Sequence, residues 1–102
     1  MLKQSEAAAD RRALFDAVLT LKDAADCAAF FSDLCTPAEL AALAGRWRVA
    51  RLLDQGLPYR EISEKTGIST ATVTRVARCL TYGRDGGYRR VLERRAGGSR
   101  GR

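Results

Sequence analysis

Gly67 divides residues 59–80 into two helix-sized segments, and this division constrains the fold more than any other feature of the chain. In the first segment, residues 59–66, Ile62 is expected to face inward, and the small Ser63 stands four residues before the glycine. A glycine there is typical of a sharp turn that needs a positive φ angle. Ser69, a favourable N-cap, begins the second segment. Its apolar residues share one sector at about 100° per residue: Val73, Val76, Ala77 and Leu80. The pattern predicts a helix-turn-helix.

The opposite side of the second helix carries short polar side chains and two arginines, which is unusual for a segment that only fills a core. In a helix-turn-helix, the N-terminal end of the second helix enters the DNA major groove. Short side chains let the backbone approach base edges, and threonine offers both a hydroxyl and a methyl group. The predicted base-reading residues are Thr70, Ala71 and Thr74. The predicted phosphate-binding residues are Arg60, Thr72, Arg75 and Arg78. A plain helical hairpin that packs on a protein partner is the alternative.

The charge is distributed unevenly along the 102 residues. Residues 1–45 contain four basic and seven acidic side chains, whereas residues 46–102 contain 14 basic and five acidic ones, which together give the net charge of +6. All but one of those 14 basic residues are arginines. The planar guanidinium can engage two acceptors at once, so this excess favours contacts with phosphates and base edges. A solvated face with a cationic tail would also account for the charge alone.

The chain has no histidine and three cysteines, none of them in a C-x-x-C pair. This composition predicts neither a metal site nor the common nucleophile systems, so we expect no enzyme. The cysteines are expected to be free, buried thiols. No stretch approaches the ~20 apolar residues of a membrane span, and the polar start has no signal-peptide core. A cytoplasmic location is the expectation.

Five or six helices are expected, in an all-α fold with a single domain over residues 1–95 and a flexible basic tail over residues 96–102. The predicted helices outside the helix-turn-helix cover residues 7–21, 23–34, 37–55 and 87–95. The clearest start is "TPAE", in which Thr36 is the N-cap, Pro37 the first helical residue and Glu39 the capping-box acid. Gly56 is the expected stop.

Large apolar side chains are few for a chain of this size. We expect that a sufficient core forms only when a second copy of the chain covers these residues: Phe15, Val18, Phe30, Phe31 and Trp47. The chain is therefore expected to be a homodimer, with a small monomeric bundle as the alternative.

With these residues in place, the chain resembles the tryptophan repressor (TrpR) family, in particular its small TrpR-related members of uncertain ligand. The resemblance covers about residues 30–80 and is carried by "LCTPAELAALAGRWRVARLLDQG" followed by "YREISEKTGISTATVTRV". It implies an intertwined, all-helical homodimer whose two reading heads meet successive major grooves. Such a dimer would bind a roughly palindromic operator with half-sites about one helical turn apart.

The resemblance also implies an effector pocket, in which two arginines sandwich the indole of an amino-acid corepressor. These arginines correspond to Arg46 and Arg75, and the threonine at the start of the long helix corresponds to Thr36. Two positions depart from the family pattern: a glycine that leaves room for the indole is Val76, and a serine that receives the amino group is Cys79. We therefore do not expect tryptophan or another cofactor, although a different small-molecule corepressor is an alternative.

The function that these observations favour is that of a sequence-specific DNA-binding transcriptional regulator, which the resemblance implies to be a repressor. Its partners would be double-stranded DNA and a second copy of the chain. No membrane is expected as a partner. The alternative from another class is a helical interaction module whose basic face docks on an acidic protein without reading a DNA sequence.

Overall fold

The computed structural model describes the backbone of residues 2–100 and the side chains of residues 4–96. Within that range the protein is all helical, which confirms the predicted all-α class. The six helices are α1 (Leu2–Val18), α2 (Ala24–Leu34), α3 (Pro37–Asp54), α4 (Tyr59–Thr66), α5 (Thr70–Tyr82) and α6 (Gly87–Arg100). None of the described helices is both long and apolar enough to cross a membrane.

Side-chain caps begin α2 and α3, the two helices that precede the helix-turn-helix of α4 and α5 (residues 59–82), which we call the reading head. Asp23 precedes α2, and its carboxylate accepts a 2.8 Å hydrogen bond from the backbone N–H of Asp26. Before α3, the N–H of Glu39 donates to the Thr36 hydroxyl at 3.1 Å, and the N–H of Thr36 donates to the Glu39 carboxylate at 2.8 Å. This reciprocal pair is the predicted capping box.

Three helix boundaries differ from the prediction by three residues or more: the end of α6 and both ends of α1, which covers Leu2–Val18 where residues 7–21 were expected. α1 begins at Leu2 rather than Ala7, because residues 2–6 contain no residue that breaks a helix. α6 was expected to end at Arg95, yet it continues through Arg100, so residues 96–100 of the predicted tail are helical. The last two residues of that tail lie outside the described part of the chain.

The chain divides into two compact units, the first reaching Leu40 and the second beginning at Ala41. The division falls within α3, and a single domain stays a prediction. The second unit holds the core, which joins fully or almost fully buried side chains of α3, α4 and α5. These side chains are Val49, Ala50, Ile62, Val73 and Val76.

The first unit leaves much of its apolar surface exposed in the single chain. α2 has no buried residue, and Phe30 and Phe31 meet edge to face with ring centroids 5.6 Å apart. Phe15 is 54% exposed and Leu19 is 82% exposed. Helices of this kind bury too little apolar area to be stable alone.

The cysteines differ from expectation in their exposure. Cys27, Cys35 and Cys79 are free, but Cys27 and Cys79 are exposed and Cys35 is half-buried in the single chain. The prediction of buried thiols is therefore wrong for two of the three. Cys27 lies in α2, which has no buried residue, whereas Cys79 lies on α5 outside the side that carries its buried residues Val73, Val76 and Ala77.

Candidate nucleic-acid interface

The turn between α4 and α5 is fixed by backbone geometry and by two hydroxyl groups. Gly67 has φ of 75°, and its N–H donates to the carbonyl of Ser63 at 2.9 Å. The Ser63 hydroxyl donates to the carbonyl of Ile68 at 2.7 Å. The Thr66 hydroxyl donates to the carbonyl of Ile62 at 2.7 Å and accepts from the N–H of Ile68 at 3.1 Å. These bonds close the predicted helix-turn-helix corner.

Apolar burial holds α4 and α5 together and attaches them to α3. Ile62 and Val73 are fully buried, and Val76 is 2% exposed. They pack with Val49 and Ala50 of α3 in one cluster. At about 25 cal/mol per Å² of buried apolar area, each such side chain contributes about 1.5–3 kcal/mol. The inward side of α5 is therefore committed to the core, as the periodicity predicts.

The first turn of α5 is capped by Ser69. Its hydroxyl oxygen accepts a hydrogen bond from the N–H of Thr72 and lies 3.2 Å from the Thr72 hydroxyl. The remaining free N–H groups of the first turn, together with the helix dipole, attract anions. This end of α5 is accordingly suited to face a phosphate backbone.

The outer side of α5 gathers most of the predicted DNA-contacting residues on one surface. A shallow depression of about 430 Å³ is lined by Ala71, Thr72, Thr74, Arg75 and Arg78. We refer to this surface as the α5 depression. Thr70 is exposed at the first position of the helix, and Arg60 is exposed on α4. In the described part of the chain no carboxylate pairs with Arg75 or Arg78, so their charges are free to meet an anion.

The residues of the predicted effector pocket do not line one common cavity in the second unit. Arg75 belongs to the α5 depression, whereas Val76 is a core residue. Arg46 lines a separate cavity of about 220 Å³, and Cys79 lines one of about 680 Å³. Thr36 belongs to the first unit, where it serves the capping box. A shared effector pocket therefore stays a prediction.

Two contacts outside the reading head place α6 in the second unit. Arg89 forms a 2.9 Å ion pair with Asp54 at the end of α3. The rings of Trp47 and Tyr88 are stacked, with centroids 6.5 Å apart and planes inclined by 18°. Neither pair follows from helical periodicity, because each joins residues far apart along the sequence. Both pairs join α6 to α3.

One residue near the head was not predicted from the sequence. Gly45, inside α3, lies against Ile68 of the turn: a Cβ atom added to Gly45 would be 3.1 Å from Ile68 Cδ1. The available signal was a glycine in the interior of a helix whose neighbours are mainly alanine and leucine, since glycine is unfavourable there.

Comparison with known proteins places this geometry in a family. The family model described as Trp repressor protein matches residues 9–96. The chain belongs to the Trp repressor family. It is 51% identical over 81 residues to the uncharacterized protein YerC of Bacillus subtilis (strain 168), a match that covers 79% of this chain and 77% of YerC.

Solved structures agree with this assignment. A TrpR-like protein from Eubacterium eligens ATCC 27750 is similar with a TM-score of 0.78 and 48% identity, over 83% of this chain and 87% of that one. A structure from Staphylococcus aureus has a TM-score of 0.80 and 43% identity, over 86% of this chain and 87% of that one. The Trp repressor family consists of DNA-binding transcription regulators and not of enzymes, and the chain is a regulator of this type.

Proposed function

We propose that the protein is a sequence-specific transcriptional repressor that binds a palindromic operator as a homodimer. The observation that carries this proposal is the α5 depression, where short side chains and unpaired arginines lie together on the outer face of a helix-turn-helix. The opposite face of the same helix is buried against α3 and α4. A helix that is buried on one side and carries short and cationic side chains on the other is suited to enter the major groove.

Within this surface, base reading and phosphate binding are assigned to different residues. Phosphate contacts set the register of a protein on DNA, and base-edge contacts specify the sequence. Thr70, Ala71 and Thr74 are the proposed base-reading residues because they are exposed and short. The proposed phosphate-binding residues are Arg60, Thr72, Arg75 and Arg78.

The homodimer is supported by the apolar surface of the first unit. Phe15, Leu19 and Leu34 are at least half exposed in the single chain, and α2 buries nothing. A second copy that covers these side chains would supply the missing core. Two reading heads related by a two-fold axis would then require an operator with the same symmetry.

Operator binding is proposed to need no cofactor. Val76 fills part of the core at the position that corresponds to a family glycine. Cys79 offers only a thiol where the family pattern has a hydroxyl. Both features argue against tryptophan as a ligand. A small-molecule corepressor of other chemistry, held by Arg46 and Arg75 with Thr36, is the alternative that the binding experiment includes.

The test is selection of bound sites from a randomised DNA pool by the purified protein at about 150 mM salt, where weak electrostatic binding is suppressed. The expected result is a two-fold symmetric motif with half-sites about one helical turn apart. A Thr74→Asp protein is the matched control, because it places a negative charge on the exposed face and leaves the core intact; it should enrich nothing.

Two other results would speak against parts of the proposal. A motif that is enriched only when an amino-acid mixture is present would contradict cofactor-independent binding. No motif under either condition, from a folded dimer, would contradict sequence-specific DNA binding and favour an acidic protein as the partner of the basic face.

A further inference from the structure

The reading head contacts α3 over more than one turn of that helix. Val49 is fully buried in the cluster that joins α3 to α4 and α5. One turn earlier, Gly45 lies against the side chain of Ile68, whose Cδ1 and Cγ1 atoms would be 3.1 Å and 3.9 Å from a Cβ added to the glycine. Residues four apart lie on the same side of a helix. Contacts at successive turns of α3 restrain the angle of the head, and the contact at Gly45 is the one made with a residue of the turn.

The glycine at position 45 is explained by this contact and not by the helix. Glycine in a helix interior is less favourable than alanine, and Ala42 and Ala44 show that alanine is accepted nearby. Ordinary van der Waals contact begins at about 3.4 Å, so a methyl group at position 45 would crowd Ile68 at 3.1 Å. The close approach of Ile68 is therefore favoured by the missing side chain, and a methyl group would make Ile68 move by a few tenths of an ångström.

The backbone of Ile68 has little freedom to withdraw from α3. Its carbonyl accepts the 2.7 Å hydrogen bond from Ser63, and its N–H donates the 3.1 Å hydrogen bond to Thr66. Its side chain also packs on the buried cluster. Because the backbone is held on both sides, the part of a push that rotation of the Ile68 side chain does not absorb is passed to the turn. α5 begins at Thr70, only two residues later.

We propose that Gly45 is a positioning residue for DNA reading: by seating Ile68 against α3, it sets where the first turn of α5 stands. This inference rests on the proposed DNA-binding function. Base-edge hydrogen bonds are good only within a window of donor–acceptor distance about 0.5 Å wide. A displacement of a few tenths of an ångström at Thr70 and Ala71 is therefore large enough to weaken reading.

The test compares four variants on the operator selected by the wild-type protein. In Gly45→Ala, the affinity should fall about ten-fold, within the range of coupling between residues in contact. In Gly45→Ala with Ile68→Val, it should return to within about two-fold of wild type, because valine lacks Cδ1 and the alanine methyl occupies that space. In Ile68→Val alone, the affinity should fall about three-fold, because the space that Cδ1 fills beside Gly45 becomes empty. Gly87→Ala is the matched control, since a Cβ there meets no atom within 4 Å.

A second readout separates positioning from stability. Selection is repeated with the spacer between half-sites randomised, and melting temperatures are measured by circular dichroism. Gly45→Ala should change the preferred spacing, or the bases read by the first turn of α5, while remaining folded at the assay temperature. A change in stability alone cannot move the spacing preference of the folded protein.

The outcomes distinguish this inference from the function on which it rests. If the wild type selects no motif, the DNA-binding proposal fails and the positioning role fails with it. If a motif is found but Gly45→Ala keeps wild-type affinity and spacing, or its loss is not repaired by Ile68→Val, only the positioning role is overturned. Should Gly45→Ala not fold, Ile68→Val alone decides: wild-type affinity in that variant contradicts the proposal.

Discussion

Replacing Arg78 with alanine removes one unpaired positive charge from the α5 depression without touching the core. Each phosphate that a protein neutralises on B-DNA contributes about 0.9 to the slope of log affinity against log salt. At about 0.15 M salt, one such contact is then worth about five-fold in affinity relative to 1 M, or about 1 kcal/mol. Two protomers on one operator would lower the slope by about 1.8 and the affinity by about thirty-fold.

The assay is fluorescence anisotropy with a labelled operator at several salt concentrations between about 50 and 200 mM. Arg78→Ala should weaken binding to all sequences by the same factor, and its melting temperature should stay near that of wild type because the residue is exposed. Arg12→Ala, which removes an equal charge from an exposed ion pair with Asp16 on α1, is the control. An unchanged slope, or a loss confined to one base pair, would refute the phosphate-binding role.

Three further predictions address base reading, the core and the caps. Thr74→Ala should change which bases are preferred, as measured by repeated site selection; an unchanged motif removes it from the base-reading set. Val73→Ala should lower the free energy of unfolding by about 2 kcal/mol in denaturant titration at fixed protein concentration, because the side chain is fully buried; a loss below about 0.5 kcal/mol would contradict that burial. The N–H of Thr36 holds the pKa of Glu39 below its ordinary value of 4.5. The ionised Glu39 carboxylate therefore stabilises the folded state above pH 4.5, and this stabilisation is lost as the pH falls through the lowered pKa. The difference in free energy of unfolding between wild type and Glu39→Gln should accordingly shrink on acidification. A difference that is constant with pH would refute this.

The features that were predicted correctly from the sequence are those decided within a few residues. The capping box at Thr36 and Glu39 and the cap at Ser69 each join a side chain to a backbone N–H three residues away. The positive φ of Gly67 is likewise a local demand of the turn. Such interactions do not depend on how distant segments pack, so residue type and spacing were enough to predict them.

The features that the sequence did not predict depend on contacts between distant residues, or on a helix end that no residue type marks clearly. The contact of Gly45 with Ile68 joins α3 to the turn before α5, and the ion pair of Asp54 with Arg89 joins α3 to α6. No periodicity specifies which side chains meet across such distances. The end of α6 was placed too early because glycines at 97 and 98 lower helix propensity without forbidding a helix. The effector pocket was inferred from resemblance alone.

The composition of α5 shows why its reading surface depends on the rest of the head. Threonine is a poorer helix former than alanine by roughly 0.5 kcal/mol at an interior position, because its branched side chain loses rotamer freedom. Thr72 and Thr74 therefore weaken the helix, and Val73 and Val76 add further β-branched side chains. Helices of this length are marginal even with good sequences, so burial of Val73 and Val76 against α3 and α4 must supply the stability of α5. The exposed residues of α5 are consequently not needed for its stability, so their shape and hydrogen bonding can serve the proposed DNA contacts. The same dependence means that a change in how the head packs on α3 would reach the proposed base-reading residues directly.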